Sequence, residues 1–183
     1  MMRNSFEFGG WTLEKVSQKF DLGCVDCGNP DLNEYFREDS EKYRCQLLTQ
    51  TYVFHETGSD VVVATVDFCN DALPKANMTT GPKKNIPFEK RGFHTFPAVK
   101  ITRLGVRKEF HGLKVGTALL TTIKRFFVVD NRTGCRFITV DAYRHAVGFY
   151  ERNDFIRMKI EDDLESPTIP LFFDLLRTSS EAA

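Results

Sequence analysis

Two kinds of apolar spacing run along this chain, and together they predict the order of its strands and helices. Alternating runs and runs rich in β-branched and aromatic residues predict strands, whereas apolar residues three or four positions apart predict helices. Asn29 followed by Pro30 is typical of a helix start, with an N-cap residue before a proline in the first turn. The predicted strands are 11–20, 51–55, 61–69, 98–106, 137–140, 155–160 and 169–175, and the predicted helices begin at Pro30, Lys114 and Tyr143.

This order of elements favours one α/β (α+β) domain over residues 1–183, with helices beside a mixed sheet. The segment 71–97 departs from both spacings, because it holds four of the seven prolines together with several lysines. We predict a long loop there, with at most one short helix. A loop of that length in a compact domain either covers a substrate site or is a surface excursion.

Composition narrows the class of protein. The chain has 183 residues, of which 42% are hydrophobic, as in ordinary soluble domains. Lys and Arg together number 25, as do Asp and Glu, so the net charge of zero does not support nucleic-acid binding beyond a local patch such as Lys83, Lys84, Lys90 and Arg91. The sequence has no apolar run that would cross a bilayer and no signal-peptide pattern. We therefore expect a cytoplasmic protein without a membrane partner.

The five cysteines include one CxxC pair, Cys24 and Cys27, and three scattered residues. A structural zinc site usually needs a second ligand pair at close spacing, and none is obvious in the sequence. We therefore expect no metal and reduced thiols, with a redox role of the CxxC pair as the alternative.

Residues 101–120 predict a strand, a loop with glycines and then a helix. The strand ends near Val106, and Gly112 and Gly116 lie in the region where the helix starts. Backbone N–H groups at a helix start are unpaired and partly positive, and glycine lets a phosphate come close to them. Such a unit is consistent with an anion site, although strand-to-helix connections also use glycine for steric reasons.

Two motifs in this half of the chain resemble those of the GNAT acetyltransferase family. Leu104-Gly-Val106 followed by His111-Gly-Leu-Lys-Val-Gly116 is similar to the family's acetyl-CoA loop, and residues 146–155, with Phe149-Tyr150-Glu151, are similar to its helix–turn–strand motif. The resemblance implies the GNAT fold, a mixed central β-sheet of about six to seven strands flanked by about four helices. It also implies acetyl-CoA as the co-substrate and an amine as the acceptor.

The same resemblance implies which residues contact acetyl-CoA, through a strand that pairs with the pantetheine arm and a loop that binds the pyrophosphate. These residues are Leu104, Gly105, Val106, His111, Gly112, Leu113, Lys114, Val115, Gly116, Thr117 and Tyr143. Four positions depart from the family pattern, where Gln or Arg, Gly, Asn and Gly are usual: His111, Lys114, Tyr143 and Asp154. Lys114 either contacts a phosphate or crowds the loop, whereas Asp154 should keep its turn because Asp tolerates a left-handed conformation.

Acetyl transfer to an amine needs a donor for the thioester oxygen and a proton for the departing thiolate. The resemblance gives the first role to backbone N–H groups of Leu104–Val106 and the second to Tyr150, which is otherwise a packed helix tyrosine. No residue stands out as the base. Its candidates are Asp67, His94 and Asp141, and Arg103 either attracts an anionic substrate or pairs with a carboxylate.

Residues 26–36 resemble a GNAT branch that includes toxins of toxin–antitoxin pairs, which acetylate aminoacyl-tRNA. This implies an antitoxin and tRNA as partners, although the net charge does not support tRNA. The alternatives are an acetyltransferase with another amine acceptor and a non-catalytic GNAT module that serves in interactions. Family members often dimerise, so a homodimer also stays open.

Overall fold

The structure, a computed structural model, describes residues 5–17, 22, 25–79, 94–129, 131, 134–160 and 165–179. The chain divides into two units. The first consists of residues 1–69 and 101–126, and the second of residues 70–100 and 127–183. Two long strands contribute to both units, namely β4 (Ala64–Pro74) and β5 (Thr95–Val106).

The first unit begins with antiparallel strands. Strand β1 (Ser5–Phe8) pairs with β2 (Trp11–Lys15) across a two-residue turn in which Gly9 and Gly10 have φ angles of 60° and 82°. Positive φ at both positions suits the tight turn of a hairpin and is available to glycine without strain. Strand β2 pairs with β3 (Gln50–Glu56), which pairs with β4, so the order in this unit is β1-β2-β3-β4-β5.

A broken helical segment covers one face of these strands. It consists of α1 (Pro30–Glu34), a wider π-type turn (Tyr35–Asp39) and α2 (Ser40–Cys45). The Asn29 side chain caps α1 by accepting a hydrogen bond from the Leu32 N–H at 3.2 Å, as the sequence predicted. Apolar residues of the segment and of the chain around it form a buried cluster: Val16, Leu22, Val25, Tyr35, Phe36 and Val53.

The long helix α3 (Val115–Val129) begins in this unit, which contains its residues up to Phe126. Its aromatic residue Phe126 contacts the rings of Phe6 and Tyr52 edge-on, with centroids 5.6 and 5.5 Å apart. Edge-to-face packing at this distance is favourable for aromatic rings. The apolar side of α3 is therefore anchored on strands β1 and β3.

The second unit has the strand order β4-β5-β6-β8-β7, where the further strands are β6 (Phe137–Tyr143), β7 (Ile156–Arg157) and β8 (Thr168–Asp174). Strands β6–β8 and β7–β8 are antiparallel. Contacts between β5 and β6 advance together along both strands, from Pro97 O with Arg136 N–H to Lys100 with Asp141, as in a parallel pair. The sheet is therefore mixed, as predicted.

The helices of the second unit are the end of α3, α4 (Val147–Arg152) and α5 (Leu176–Ser179). Its core cluster joins residues from β4 to β8: Leu73, Met78, Phe96, Ala98, Phe137 and Phe172. Phenylalanine, which is frequent in the sequence, makes up much of this cluster. The Phe137 ring packs edge-on against Phe96 and Phe172, with ring centroids 5.8 and 6.0 Å apart.

The structure corrects several sequence predictions. The described residues form eight strands, because the sequence pattern missed β1. Tyr143 ends strand β6, and a 3₁₀ turn at Arg144–Ala146 precedes α4. The helix that was predicted to begin at Tyr143 therefore begins four residues later, at Val147. The predicted strand 155–160 contains only the two residues of β7.

The predicted loop 71–97 is shorter at both ends. Strand β4 continues to Pro74, a 3₁₀ turn follows at Lys75–Asn77, and β5 already starts at Thr95. The β-branched pattern ends at Cys69, but pairing within the sheet extends the strand over less apolar residues. Residues 80–93 of this segment lie outside the described residues, and so do Lys83, Lys84, Lys90 and Arg91. Among the described helices, none is long and apolar enough to span a membrane.

Candidate active site

The predicted cofactor loop lies in the first unit and joins β5 to α3. After Val106 the backbone passes through a 3₁₀ turn at Lys108–Phe110, and the His111 imidazole Nε2 lies 2.9 Å from the carbonyl oxygen of Val106. Gly112 follows with φ 79° and open space where a side chain would begin. The loop therefore presents bare backbone at its tip, and His111 is used to close the turn.

Lys114, at a position where the motif usually has glycine, has a left-handed backbone conformation with φ 60°. For a residue with a Cβ this conformation costs about 1–2 kcal/mol, which is a modest cost for the loop. The first intrahelical bond behind it runs from the Ala118 N–H to the Lys114 carbonyl at 3.0 Å. The crowding considered from the sequence does not prevent the turn.

The start of α3 has the properties of an anion site. The helix is 15 residues long and has no acidic residue in its first turn. The N–H groups of Val115, Gly116 and Thr117 precede the first intrahelical donor, and a helix dipole adds partial positive charge there. The Lys114 ammonium group lies beside them in sequence. These residues fit a pyrophosphate such as that of acetyl-CoA.

Gly105, in the middle of the predicted pantetheine strand, is required by packing. A Cβ at this residue would lie 3.1 Å from the Phe36 ring and 3.3 Å from the Cβ and Sγ atoms of Cys27. Only glycine lets the segment before α1 and the π-type turn approach β5 this closely. Cys27 is buried in this contact, and Cys24, its partner in the CxxC pattern, lies outside the described residues.

A bracket of hydrogen bonds joins the segment before α1 to the cofactor loop. The Asp26 carboxylate accepts from the Gly28 N–H and from the Asn33 amide, both at 2.9 Å, and pairs with the Lys108 ammonium at 2.6 Å. The Lys108 N–H also donates to the Asp26 carbonyl at 2.9 Å. These donors, with the Lys108 bond first, hold the pKa of Asp26 well below its usual range. The 26–36 motif thus braces the loop that starts at Arg107.

Asp26→Ala should weaken acetyl-CoA binding by about threefold to tenfold, because the loop then loses its bracket and must be ordered by the ligand. Calorimetric titration with acetyl-CoA measures the change. Glu34→Ala, which removes an exposed carboxylate from α1, is the matched control and should bind as the parent does. Equal affinities of the two variants would show that the bracket does not position the loop.

A buried polar cluster lies between β3, β4 and the π-type turn, and the sequence reading found only one of its members, Asp67. The Tyr35 hydroxyl donates to Asp67 Oδ2 at 2.6 Å, and Arg44 donates to the hydroxyls of Thr51 and Ser40 at 2.9 and 3.2 Å. Burial raises the pKa of Asp67, and the hydroxyls and the Arg44 charge oppose this only in part. Because Asp67 is fully buried, it does not meet the acceptor directly.

Tyr150, the predicted proton donor, lies on α4 in the second unit. Its ring is 6% exposed and packs edge-on against Phe149 and Phe155 at 5.1 and 5.4 Å. Within the part of the chain that the structure describes, no group forms a hydrogen bond with the Tyr150 hydroxyl. The hydroxyl oxygen is nevertheless not completely buried. Burial raises the pKa of Tyr150 above its usual value of 10.0. The hydroxyl is therefore protonated at neutral pH.

Tyr143 lies just before the helix–turn–strand motif of residues 146–155, and Asp154 lies near the end of that motif. Tyr143 stacks on the His145 ring with centroids 5.6 Å apart, at the last position of β6. Asp154 has φ 64° and so keeps the left-handed turn that the sequence analysis expected. Tyr143 and Tyr150 belong to the second unit, whereas the contiguous predicted set from Leu104 to Thr117 belongs to the first.

The other candidates for the base are engaged elsewhere or lie apart. Asp141 pairs with Lys100 on the neighbouring strand β5. His94 is exposed, and its carbonyl accepts from the Lys75 N–H at 2.8 Å just before β5 begins. Among the described residues, no cluster of three or more His, Cys, Asp or Glu is placed to hold a metal ion.

Comparison with known proteins places this fold and loop in one class. Residues 87–171 match the family model described as acetyltransferase (GNAT) domain. The structure of AtaT complexed with acetyl-methionyl-tRNAfMet is similar with a TM-score of 0.77 and 20% identity, over 94% of this chain and 99% of that one. A Tyr-to-Phe mutant of KacT has a TM-score of 0.73 at 20% identity, over 94% and 99%. The structure of AtaTR bound with AcCoA has a TM-score of 0.72 and 19% identity, over 95% of this chain and 99% of that one.

Residues 87–171 are therefore similar to a GNAT acetyltransferase domain, and this match, together with the fold, supports an acyltransferase. The similar structures include those of the toxin AtaT and of a KacT mutant, and at this identity they establish the fold. No curated protein sequence matches the chain. Acetyl-CoA is the co-substrate of the class, and similar structures contain it.

Proposed function

We propose that this protein transfers the acetyl group of acetyl-CoA to a primary amine by direct attack in a ternary complex. The observation that carries the proposal is the start of α3. Lys114, with a left-handed backbone conformation, precedes this helix, and the first turn of the helix contains no acidic residue. That arrangement fits the pyrophosphate of acetyl-CoA. Residues Leu104 to Val106 would supply the backbone that pairs with the pantetheine arm.

Two groups serve the chemistry in this proposal. Backbone N–H groups at the end of β5 stabilise the thioester oxygen as negative charge develops on it. The Tyr150 hydroxyl donates its proton to the sulfur of the departing coenzyme A, since its raised pKa keeps it protonated. Tyr143 is assigned to contact the cofactor. The amine nitrogen forms the new bond to the acetyl carbon while the carbon–sulfur bond breaks; the nitrogen releases its extra proton to solvent water, and Tyr150 regains a proton from the solvent.

The more specific candidate acceptor is the free amine of an aminoacyl-tRNA. It is supported by the complex of AtaT with acetyl-methionyl-tRNAfMet and by the 26–36 motif, in which Asp26, Gly28 and Asn33 form the bracket that joins this segment to the cofactor loop. A protein antitoxin is the matching partner, because AtaT has been solved with the C-terminus of AtaR. The zero net charge confines tRNA contacts to local groups.

Calorimetric titration with acetyl-CoA, with Gly116→Glu beside the parent, tests the cofactor loop. The parent should bind at micromolar concentration and Gly116→Glu should not bind, because its carboxylate would occupy the start of α3. Thr121→Glu adds the same charge to the exposed side of α3 five residues further along and should bind like the parent. Equal affinity of Gly116→Glu and the parent would exclude this loop, and no binding by the parent would favour a non-catalytic module.

A further inference from the structure

Arg103 is presented at the surface of the first unit, on the strand assigned to acetyl-CoA. It is exposed and lies two residues before Gly105, so its side chain leaves β5 on the face that meets Phe36 and the π-type turn. Among the residues that the structure describes, its Nη1 donates only to the neighbouring Thr102 carbonyl, at 2.8 Å. A guanidinium has five N–H donors in a planar fork, so this bond leaves most of them without an acceptor among the described residues.

The other basic residues near the end of β5 are paired with carboxylates. Arg107 lies 3.3 Å from Glu109, and Lys108 lies 2.6 Å from Asp26. In the ranges that the structure describes, no carboxylate pairs with Arg103. Its charge is thus not neutralised at this surface, which differs from an arginine with a purely structural ion pair.

An aromatic platform holds Arg103 in place of an ion pair. The guanidinium carbon lies 4.9 Å from the centroid of the Tyr35 ring, within the range of a cation–π contact. The Tyr35 ring is itself fixed, because it is buried and its hydroxyl donates to the buried Asp67 at 2.6 Å. The π-type turn that begins at Tyr35 brings this ring under β5, and such turns are frequent at functional sites.

A guanidinium that is stacked on a ring, fixed in orientation and unpaired is suited to a planar, two-bond contact with an oxyanion. From this geometry we propose that Arg103 binds a backbone phosphate of the acceptor, and that Tyr35, held by Asp67, is its positioning residue. This deepens the proposed function and rests on it, since it makes the acceptor a nucleic acid rather than a small amine. It also explains how a chain of zero net charge can hold tRNA through a local group.

The test measures the binding of deacylated tRNA to the full chain saturated with coenzyme A, as a function of salt from roughly 50 to 200 mM. Arg103→Gln should weaken binding by about tenfold and lower the slope of log K against log salt by about 0.7, the loss of one phosphate contact. Arg103→Lys keeps the charge and should restore most of the slope. Arg37→Gln is the control and should keep the parent slope, because the exposed Arg37 side chain pairs with Glu38 at 3.4 Å.

Tyr35 variants separate the ring from the hydroxyl. Tyr35→Phe keeps the platform and should retain the parent salt slope despite a lower thermal midpoint, whereas Tyr35→Leu should lose affinity as Arg103→Gln does. An unchanged slope in Arg103→Gln would overturn the phosphate contact, and so would a parent that binds no tRNA. Calorimetry with acetyl-CoA on the same samples reports the proposed function separately, since none of these variants should change that affinity.

Discussion

Tyr150→Phe should lower kcat for acetyl transfer by about a hundredfold while leaving the affinity for acetyl-CoA unchanged, the usual effect of losing a general acid. The change removes one oxygen that bonds no described group, and the ring stays packed between Phe149 and Phe155. The thiolate would then leave without a positioned proton. Steady-state assay of coenzyme A release gives kcat, and calorimetry gives the binding constant.

Tyr43→Phe provides the matched control, because this tyrosine is 42% exposed on α2 and should be silent in both measurements. The pH profile adds a second check. Since the pKa of Tyr150 lies above 10.0, the acid stays protonated over the physiological range, and activity should not fall on the alkaline side below about pH 10 through this group. Parent-like kcat in Tyr150→Phe would remove the tyrosine from the chemistry.

Asp67→Ala should lower the free energy of unfolding by about 3 kcal/mol, because it leaves buried polar partners uncompensated. Tyr35 would lose the acceptor of its hydroxyl, and the buried Arg44 guanidinium would lose its electrostatic interaction with this carboxyl group. For a chain of this size the thermal midpoint should fall by about 10 °C. Denaturant and thermal unfolding, followed by circular dichroism, measure both quantities.

Asn70→Ala, an exposed position on the same strand β4, should change the unfolding free energy by less than about 0.5 kcal/mol. Asp67→Asn keeps an acceptor for the Tyr35 hydroxyl and should fall between the two. If Asp67→Ala were as stable as Asn70→Ala, the polar cluster would contribute nothing to the fold, and the platform under Arg103 would not depend on it.

The parts of the fold that sequence could predict are those in which local pattern and tertiary packing agree. The helix start at Asn29, the long helix that follows Lys114 and most strands are of this kind. Strand β1 was missed because its side chains are mostly exposed, although Gly9-Gly10 after it is a recognisable hairpin signal. The C-terminal part of β4 was missed because partners in the sheet, rather than its own residues, keep it extended.

The site shows the same division. A motif located the cofactor loop, and its departures at Lys114 and Asp154 proved to be residues in the left-handed conformation. The buried cluster could not be read from sequence, because Tyr35, Arg44 and Asp67 are distant along the chain and each looks like an ordinary helix or strand residue. Only the π-type turn and the register of β3 with β4 bring them together.

The residue type at position 114 affects how many backbone conformations the loop can adopt before it binds a ligand. A glycine there would leave the unfolded chain more conformations and would let the folded loop visit both halves of the φ range. A lysine has fewer conformations than glycine in the unfolded chain, so it loses less entropy on folding. This gain offsets part of the strain of its positive φ. The loop is thus narrowed to few conformations before any ligand arrives, and a nucleotide that docks there has less chain entropy to remove.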